Sequence, residues 1–550
     1  MKKINIYILA ILPIIFSSCN DDFLNEDSRS QITDNYINTP AGFNDAVNGA
    51  YSAMRVYTED EILAHMTAMG TDTWTNGFDG GNKHFNLYDP NLNPRTGALN
   101  TVWNRLYSAI NATNTIISRA PGLTGINENL KNTRVAEAKF LRAQYYFLLV
   151  QWFGPIHLTL EETQGVVTEA KRSPISDIYD AIIIDLTEAV NVLPVVASDY
   201  GRVTKPAAEH FLAKVYLTRA GSKAVKSGDY TKAAELAEKV INNYNFRLLD
   251  DFSSVFAQGS TAERHSEVIF SVQNGNSFLT AELGNTLHAY WLAKYDDLPG
   301  VARDIKNGRP WARFRPTDFT LTKLFDKKND ARYEKSFKRV FYTNTPGTYT
   351  SVNGNKMTLA LGDTALYIVD EEWDPAKIKK AGYSVYTLSL QSERVYPTLS
   401  KFLDPLRPSV PEMRGSRDFI LFRLAETMLI AAEALMMDGK SEKAASYVNL
   451  VRKRAAKIGK TAAETTANQI AMQITSDQLN IDFILDERAR ELLGENMRWF
   501  DLVRTGKLIE RVKKYNRHAA VNIKDFHVLR PIPQNQIDRT SNGFPQNPGY

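Results

Sequence analysis

The 550-residue chain contains one cysteine, Cys19. A single cysteine forms no internal disulfide and builds no cysteine cage for zinc. None of the eight histidines lies in a His-Glu-x-x-His motif, and no two are spaced as a metal pair on one helix face. There is no Gly-x-Ser-x-Gly elbow and no Gly-x-x-x-x-Gly-Lys-Ser/Thr loop. The sequence therefore offers no hydrolase nucleophile, no phosphate cradle and no motif that calls for a cofactor. A charge excess of one sign is also missing, with 66 Lys+Arg against 62 Asp+Glu. Two of those positives, Lys2 and Lys3, sit at the very start. No basic surplus calls for a nucleic-acid partner. Beyond the first 16 residues no apolar run approaches the length of a membrane span. Hydrophobic residues at 43% and charged residues at 23% are globular values, which excludes wholesale disorder. The length allows roughly three or four domains, or one large one.

What is present begins with an address. Lys2 and Lys3 precede an apolar stretch from Ile4 to Phe16, followed by Ser17, Ser18 and Cys19. This reads as a secretory signal, too short to span a bilayer. Phe16-Ser17-Ser18-Cys19 resembles a bacterial lipobox, in which the cysteine thiol accepts diacylglycerol and becomes residue one of the mature protein. Each buried CH₂ of such a lipid contributes about 0.8 kcal/mol. The following Asn20-Asp21-Asp22 resembles the surface-export signal of Bacteroidetes-type lipoproteins.

Helical periodicity dominates the remainder. Ala136 to Phe153 carries Phe140, Leu141, Tyr145 and Leu148 on one face, and Gly154-Pro155 should end it. Pro206 opens a second helix. Others are expected over Tyr230–Ile241, Leu424–Leu435 and Glu442 to about Ala456. Small residues on their inner faces suit tetratricopeptide-like hairpins. Ala432 and Ala444 stand 12 positions apart, as that repeat requires, but Ala213 and Ala233 stand 20 apart. No tandem 34-residue period runs through the chain, so the repeats should be scattered and diverged. The stretch 276–415 differs, being rich in Gly, Pro, Asn and aromatics, with β-like runs at Thr358–Leu361 and Tyr383–Leu390. The fold expected is mainly α, a scaffold of tetratricopeptide-like hairpins with a loop-rich mixed excursion and few short strands.

Several segments together resemble the SusD/RagB family of nutrient-binding lipoproteins. They start with Cys19 to Leu24, then Trp103, Leu106, Tyr107, Ile110, Asn111 and Asn114. Ala136 to Ala143 with Tyr145-Tyr146-Phe147 follows, then Gly201-Arg202 and Leu212 to Leu217. Arg423 to Glu426, Ala432-Glu433-Ala434, Glu487-Arg488, Arg498 to Arg504, Leu529 to Pro533 and Gln546 to Tyr550 complete the series in order. The resemblance implies a non-catalytic surface lipoprotein of the outer membrane, anchored in lipid through Cys19. It would sit as a lid over a SusC-like TonB-dependent transporter and deliver captured glycan to it. Some RagB-like members capture peptides, which is the alternative. The expected organisation is a signal peptide at 1–18, a lipidated tether at 19–40, a helical scaffold at 41–275, a loop-rich ligand-binding excursion at 276–415 and a helical C-terminal part at 416–550.

Binding sugar needs flat apolar faces and polar side chains that reach hydroxyls. Trp103, Trp152 and Trp499 lie in helical signatures and read as core. Trp74 and Trp291 lie in polar, loop-like surroundings and are the expected stacking platforms, with Tyr290 beside Trp291. Asp72 and Asn76 flank Trp74 as hydroxyl partners, and Trp311 is a further candidate within Gly-Arg-Pro-Trp. The plain alternative for all six is burial as loop anchors. Glu137, Arg142, Glu426, Glu433, Glu487, Arg488, Arg498 and Asp501 read as ion pairs and helix caps. Asp370-Glu371-Glu372 reads as a solvated loop cluster and Arg452-Lys453-Arg454 as a solvated helix end favoured by the helix dipole. The near-neutral balance fits neutral sugars better than a charged polymer.

Overall fold

A computed structural model describes residues 34–259, 261–275 and 284–550. Cys19, the signal segment and most of the tether lie outside the described residues. Helix accounts for 47% and strand for 9%, a mainly α fold with few short strands.

The longer helices are α1 (Pro40–Ser52), α2 (Gly97–Arg119), α3 (Glu128–Phe153), α4 (Ile175–Val192), α5 (Lys205–Ala220) and α6 (Asp229–Asn243). After the excursion come α7 (Leu424–Met437), α8 (Ser441–Ala455), α9 (Ala462–Ala471), α10 (Ile481–Glu491), α11 (Arg498–Arg504) and α12 (Leu508–Tyr515). α3 starts eight residues before the expected Ala136 because the Asn127 side chain accepts from the Leu130 N–H and caps the first turn. It ends at Phe153, where Gly154 takes φ 70°. Pro206 sits in the first turn of α5, where its missing N–H costs nothing.

Helices α2 to α8 pack in succession, each against the next. The hairpins that look scattered in sequence are therefore one continuous array in space. The long stretch between α6 and α7 leaves the array and returns to it without breaking the stacking. Ala213, Ala233, Ala432 and Ala444 are fully buried at these contacts, which lets the helix backbones approach closely.

The neck of the excursion is an antiparallel pair. Strand β2 (Val268–Val272) pairs with β11 (Phe419–Arg423), placing Phe419 opposite Val272. Phe270 and Phe422 from this pair meet Phe140 of α3 and Phe211 of α5, with Phe140 5.4 Å from Phe211 and 5.7 Å from Phe270. Each buried ring contributes about 2–3 kcal/mol, so the neck is anchored to the helical array by its aromatic contacts.

Between the neck strands lie β3 (Phe314–Pro316), β4 (Phe337–Lys338), β5 (Val340–Tyr342), β6 (Gly347–Thr350), β7 (Lys356–Leu359), β8 (Thr364–Ile368), β9 (Ser384–Tyr386) and β10 (Thr398–Leu399). Of the two expected β-runs, the first is present two residues earlier, at Lys356–Leu359, and the second is shortened to Ser384–Tyr386. The second gives way to a 3₁₀ turn at Leu388–Leu390. Strands β5, β8 and β9 form one small sheet over a separate apolar cluster that includes Tyr295, Phe341, Leu366 and Ile368. Strand β1 (Trp74–Asn76), from the N-terminal block, pairs antiparallel with β3. This ribbon joins the helical block to the excursion.

Candidate ligand-binding surface

The β1–β3 ribbon determines the fate of the sequence-predicted site. Trp74 stands opposite Pro316 and Asn76 opposite Phe314. Trp74 packs on Trp291 with ring centroids 4.6 Å apart, and Trp291 lies 4.6 Å from Phe314. Trp74 is 1% exposed, and Trp291 and Tyr290 are 0% exposed. None of the three offers a face to a ligand, so the expected stacking platforms are instead the core beneath the surface. Burying three such rings removes far more apolar area from water than a shallow platform would. Tyr290 turns its hydroxyl onto the Thr286 hydroxyl, and burial pushes it well above the usual tyrosine pKa.

Asp72 is corrected in the same way. It is fully buried and accepts from Arg498 Nε (2.7 Å) and Nη2 (2.6 Å) and from Arg511 Nε (2.7 Å). Burial alone would raise its carboxyl. The two guanidinium groups outweigh this and hold it below its usual value. Asn76 is 5% exposed; it donates to Glu393 Oε1 at 3.0 Å and accepts from Asn86 at 2.6 Å. Both polar groups are thus buried and bonded to protein partners, out of reach of sugar hydroxyls.

Trp311 is the exception. Its ring is partly buried, rests on Tyr290 at 5.5 Å and carries the Arg313 guanidinium 5.3 Å from its centroid. The segment that follows β1 carries an aromatic residue that sequence reasoning missed. Phe78 is 44% exposed, and the Arg394 guanidinium lies 3.9 Å over its ring. Three segments converge to hold these groups. Gly77 N–H donates to Arg313 O (2.8 Å), Asp79 N–H to Ala312 O (3.2 Å) and Phe78 N–H to Glu393 O (2.9 Å). Ala312 is buried with φ 45°, an uncommon conformation for a residue with a Cβ. A Cβ on Gly77 would lie 2.2 Å from Ala312 O, so glycine is required for this approach.

Charge is arranged around the two rings. Arg313 Nε donates to Glu61 Oε2 at 2.6 Å, and its Nη1 lies 3.3 Å from Asp79. Arg394 pairs with Asp297. The ribbon thus presents an exposed phenyl ring with a guanidinium over one face, and a partly buried indole with a second guanidinium over it and carboxylates beside that. Such a surface can stack on the C–H side of a sugar ring and bond its hydroxyls. The sequence carries a signal for Phe78: it is a lone aromatic in Gly77-Phe78-Asp79-Gly80-Gly81, where a ring has little local chain to bury it.

The charged residues of the recurring motifs are buried and paired. Arg142 binds Asp185 through two nitrogens at 2.8 and 2.7 Å, and Glu137 accepts from Arg134 (2.6 Å) and Arg202 (2.8 Å). Glu426 pairs with Lys214 (2.8 Å) and Arg488 with Asp501 (2.8 Å). The basic run 452–454 departs from the solvated helix end that its composition suggests. Arg452 binds Glu487 at 2.8 Å, and Arg454, almost fully buried, binds Glu267 at 2.9 Å and also Glu491. In the acidic run, Asp370 pairs with Lys327 (2.5 Å), and Glu372 accepts from the Ser389 hydroxyl at 2.9 Å.

Among the described residues, no helix is long and apolar enough to cross a membrane. Residues 269–550 match the family model described as "SusD family", and residues 22–217 match one described as "Starch-binding associating with outer membrane". The chain is 28% identical to SusD-like protein P2 of Formosa agariphila over the full length of both. It is 25% identical to the starch-binding protein SusD of Bacteroides thetaiotaomicron, across 82% of this chain and 78% of that one. Among solved structures, a laminarin binding SusD-like protein superposes with TM-score 0.68 at 22% identity, covering 93% of this chain and all of the other. A SusD homolog from Bacteroides thetaiotaomicron superposes with TM-score 0.71 at 20% identity, covering 94% and 98%. The chain belongs to the SusD family.

Proposed function

We propose that the protein is a cell-surface lipoprotein that binds glycan and delivers it to a SusC-like TonB-dependent transporter of the outer membrane. Cys19 carries the lipid that holds it there, and the protein binds its ligand without chemical turnover. The starch- and laminarin-binding descriptions of relatives and structural neighbours support the ligand class. The family description of association with the outer membrane supports the location.

The observation that carries the reading is the exposed Phe78 ring under the Arg394 guanidinium, on the same ribbon as the partly buried Trp311 with Arg313, Asp79 and Glu61 beside it. These groups come from both the 41–275 block and the 276–415 excursion, so the site exists only where the β1–β3 ribbon joins them. Trp311 serves as one stacking ring and Phe78 as the other. Trp74, Trp291 and Tyr290 hold this surface from below.

Removing a stacked ring costs roughly 1–2 kcal/mol, or about 5- to 30-fold in affinity. Titrations of a polysaccharide panel should show Phe78→Ala and Trp311→Ala each weakening glycan binding by that factor, with unchanged thermal stability for Phe78→Ala. Unchanged affinity in both variants would remove the site from this surface. Binding of a peptide panel in place of every glycan would replace the ligand class.

A further inference from the structure

A second recess lies on the other side of the ribbon, between strand β3 and the C-terminal end of α12. Its volume is about 230 Å³. That is smaller than the roughly 300–1,000 Å³ of drug-sized ligand sites, and it suits one sugar unit or one acidic substituent. Five cations line it, namely Arg315, Lys323, Lys513, Lys514 and Arg517, against the single carboxylate of Asp318.

Two features separate this recess from an ordinary basic patch. Lysines at the end of α12 are favoured by the helix dipole and need no ligand. That explanation does not reach Arg315, which enters from a strand. Arg315 is 6% exposed, and its one ion pair among the described residues is a 3.3 Å contact from Nη2 to the half-exposed Asp318. Its buried Nε has no hydrogen-bond partner among the described residues. A buried, under-partnered guanidinium is costly unless something supplies the missing acceptor. Arg517 beside it is an exposed cation placed where its charge disfavours that of Arg315.

The wall of the recess is apolar and flat. Tyr515 stacks on Phe319 with centroids 4.0 Å apart, and Lys514 Nζ lies 5.0 Å from the Tyr515 ring. His518 closes one side, its Nδ1 3.2 Å from the Thr75 hydroxyl. Burial, with the Arg517 charge adding to it, pushes this imidazole below its usual value. Glu393, which acts electrostatically on both Arg315 and His518, stands between the recess and the Phe78 surface, where it receives the Asn76 amide.

We infer that this recess binds an anionic substituent of a sugar, a carboxylate or a sulfate ester, so that the protein selects acidic glycans. The inference rests on the glycan-binding reading and names its substrate class. The near-neutral balance of the whole chain conceals the site, because the compensating carboxylates lie elsewhere in the fold. A guanidinium fork and neighbouring ammonium groups match planar carboxylate and tetrahedral sulfate oxygens, and the tyrosine wall accepts the ring that carries them.

The test is calorimetric titration of the purified protein with matched acidic and neutral polymers. The pairs are polygalacturonate and its methyl ester, and carrageenan and its desulfated form. Inorganic sulfate is the control. At least one acidic member should bind about tenfold or more tighter than its neutral partner, with affinity falling as salt rises. The exposed double substitution Lys513→Ser with Arg517→Ser should erase roughly tenfold of that preference and leave binding of the neutral partner unchanged. The carboxylate and sulfate pairs distinguish the two sources of the anion. Equal affinity within every pair overturns the inference while leaving glycan binding intact. Inorganic sulfate binding as tightly as the sulfated polymers would mean an adventitious ion only, which also overturns it. Failure of every saccharide, acidic or neutral, overturns the glycan reading itself.

Discussion

Asp72→Ala is expected to lower stability by about 3–5 kcal/mol and to act on the fold before it acts on any ligand. The carboxylate is fully buried and takes two nitrogens of Arg498 and one of Arg511. Arg498 is 8% exposed, and its only other bond among the described residues is to Leu485 O at 2.6 Å. Removing Asp72 leaves that cation buried without a counter-charge, and the desolvation penalty then stands uncompensated. Arg511 suffers less because Asp482 (3.1 Å) and Asp486 also hold it. Asp72→Asn keeps an acceptor but loses the charge, so its cost should fall between wild type and alanine. Denaturant unfolding of the three proteins gives the order directly. A sugar-hydroxyl role for Asp72 would show the reverse pattern, with affinity lost and unfolding unchanged.

Glu491→Ala is expected to cost a similar 3–5 kcal/mol, with a pH signature. Glu491 accepts from Arg332 at 3.0 Å, from Arg423 at 2.7 Å and from Arg454. Arg423 also reaches Glu267 (3.0 Å) and Glu495 (2.8 Å), and Arg332 reaches Asp330 and Glu487, both at 2.7 Å. The network ties the neck strand β11, the end of α8 and the 330–332 segment of the excursion to α10. Burial opposes the charge on Glu491, but Arg454, Arg423 and Arg332 outweigh it and hold its pKa at about 2, against 4.5 unperturbed. A carboxyl depressed on folding contributes stability that is complete above about pH 4.5 and is lost as pH falls toward 2. For Glu491 alone that is about 3 kcal/mol. Unfolding midpoints of wild type should therefore fall steeply over this window, and those of Glu491→Gln should start lower and fall less. Parallel pH profiles for the two proteins would contradict the assignment.

These two residues show what a single sequence reveals. Paired motif charges such as Glu426, Glu487 and Arg498 were legible because charged groups within apolar helical faces must be compensated. Helices were legible where their apolar period was local, as in α3 and α7. Trp152 and Trp499, embedded in such helices, are fully buried as their setting suggests. Trp74 and Trp291 misled because their immediate neighbours are polar. The two rings pack on each other although they lie far apart in the chain, in a region where β1–β3 pairing brings the two segments together. Asp72 misled for the same reason, since Arg498 and Arg511 are more than 400 positions away in sequence. Continuity of the helical array was hidden by the excursion inserted between α6 and α7. Trp311 remained a usable candidate because its backbone is held by Ala289 while its side chain keeps partial exposure.

The most direct test of the ligand site is a crystal structure of the protein grown with the tightest-binding oligosaccharide. The expected result is a sugar ring stacked within about 4 Å of Phe78 or Trp311, with hydroxyls bonded to Arg313, Arg394, Asp79 or Glu61. A sugar bound away from both rings would contradict it.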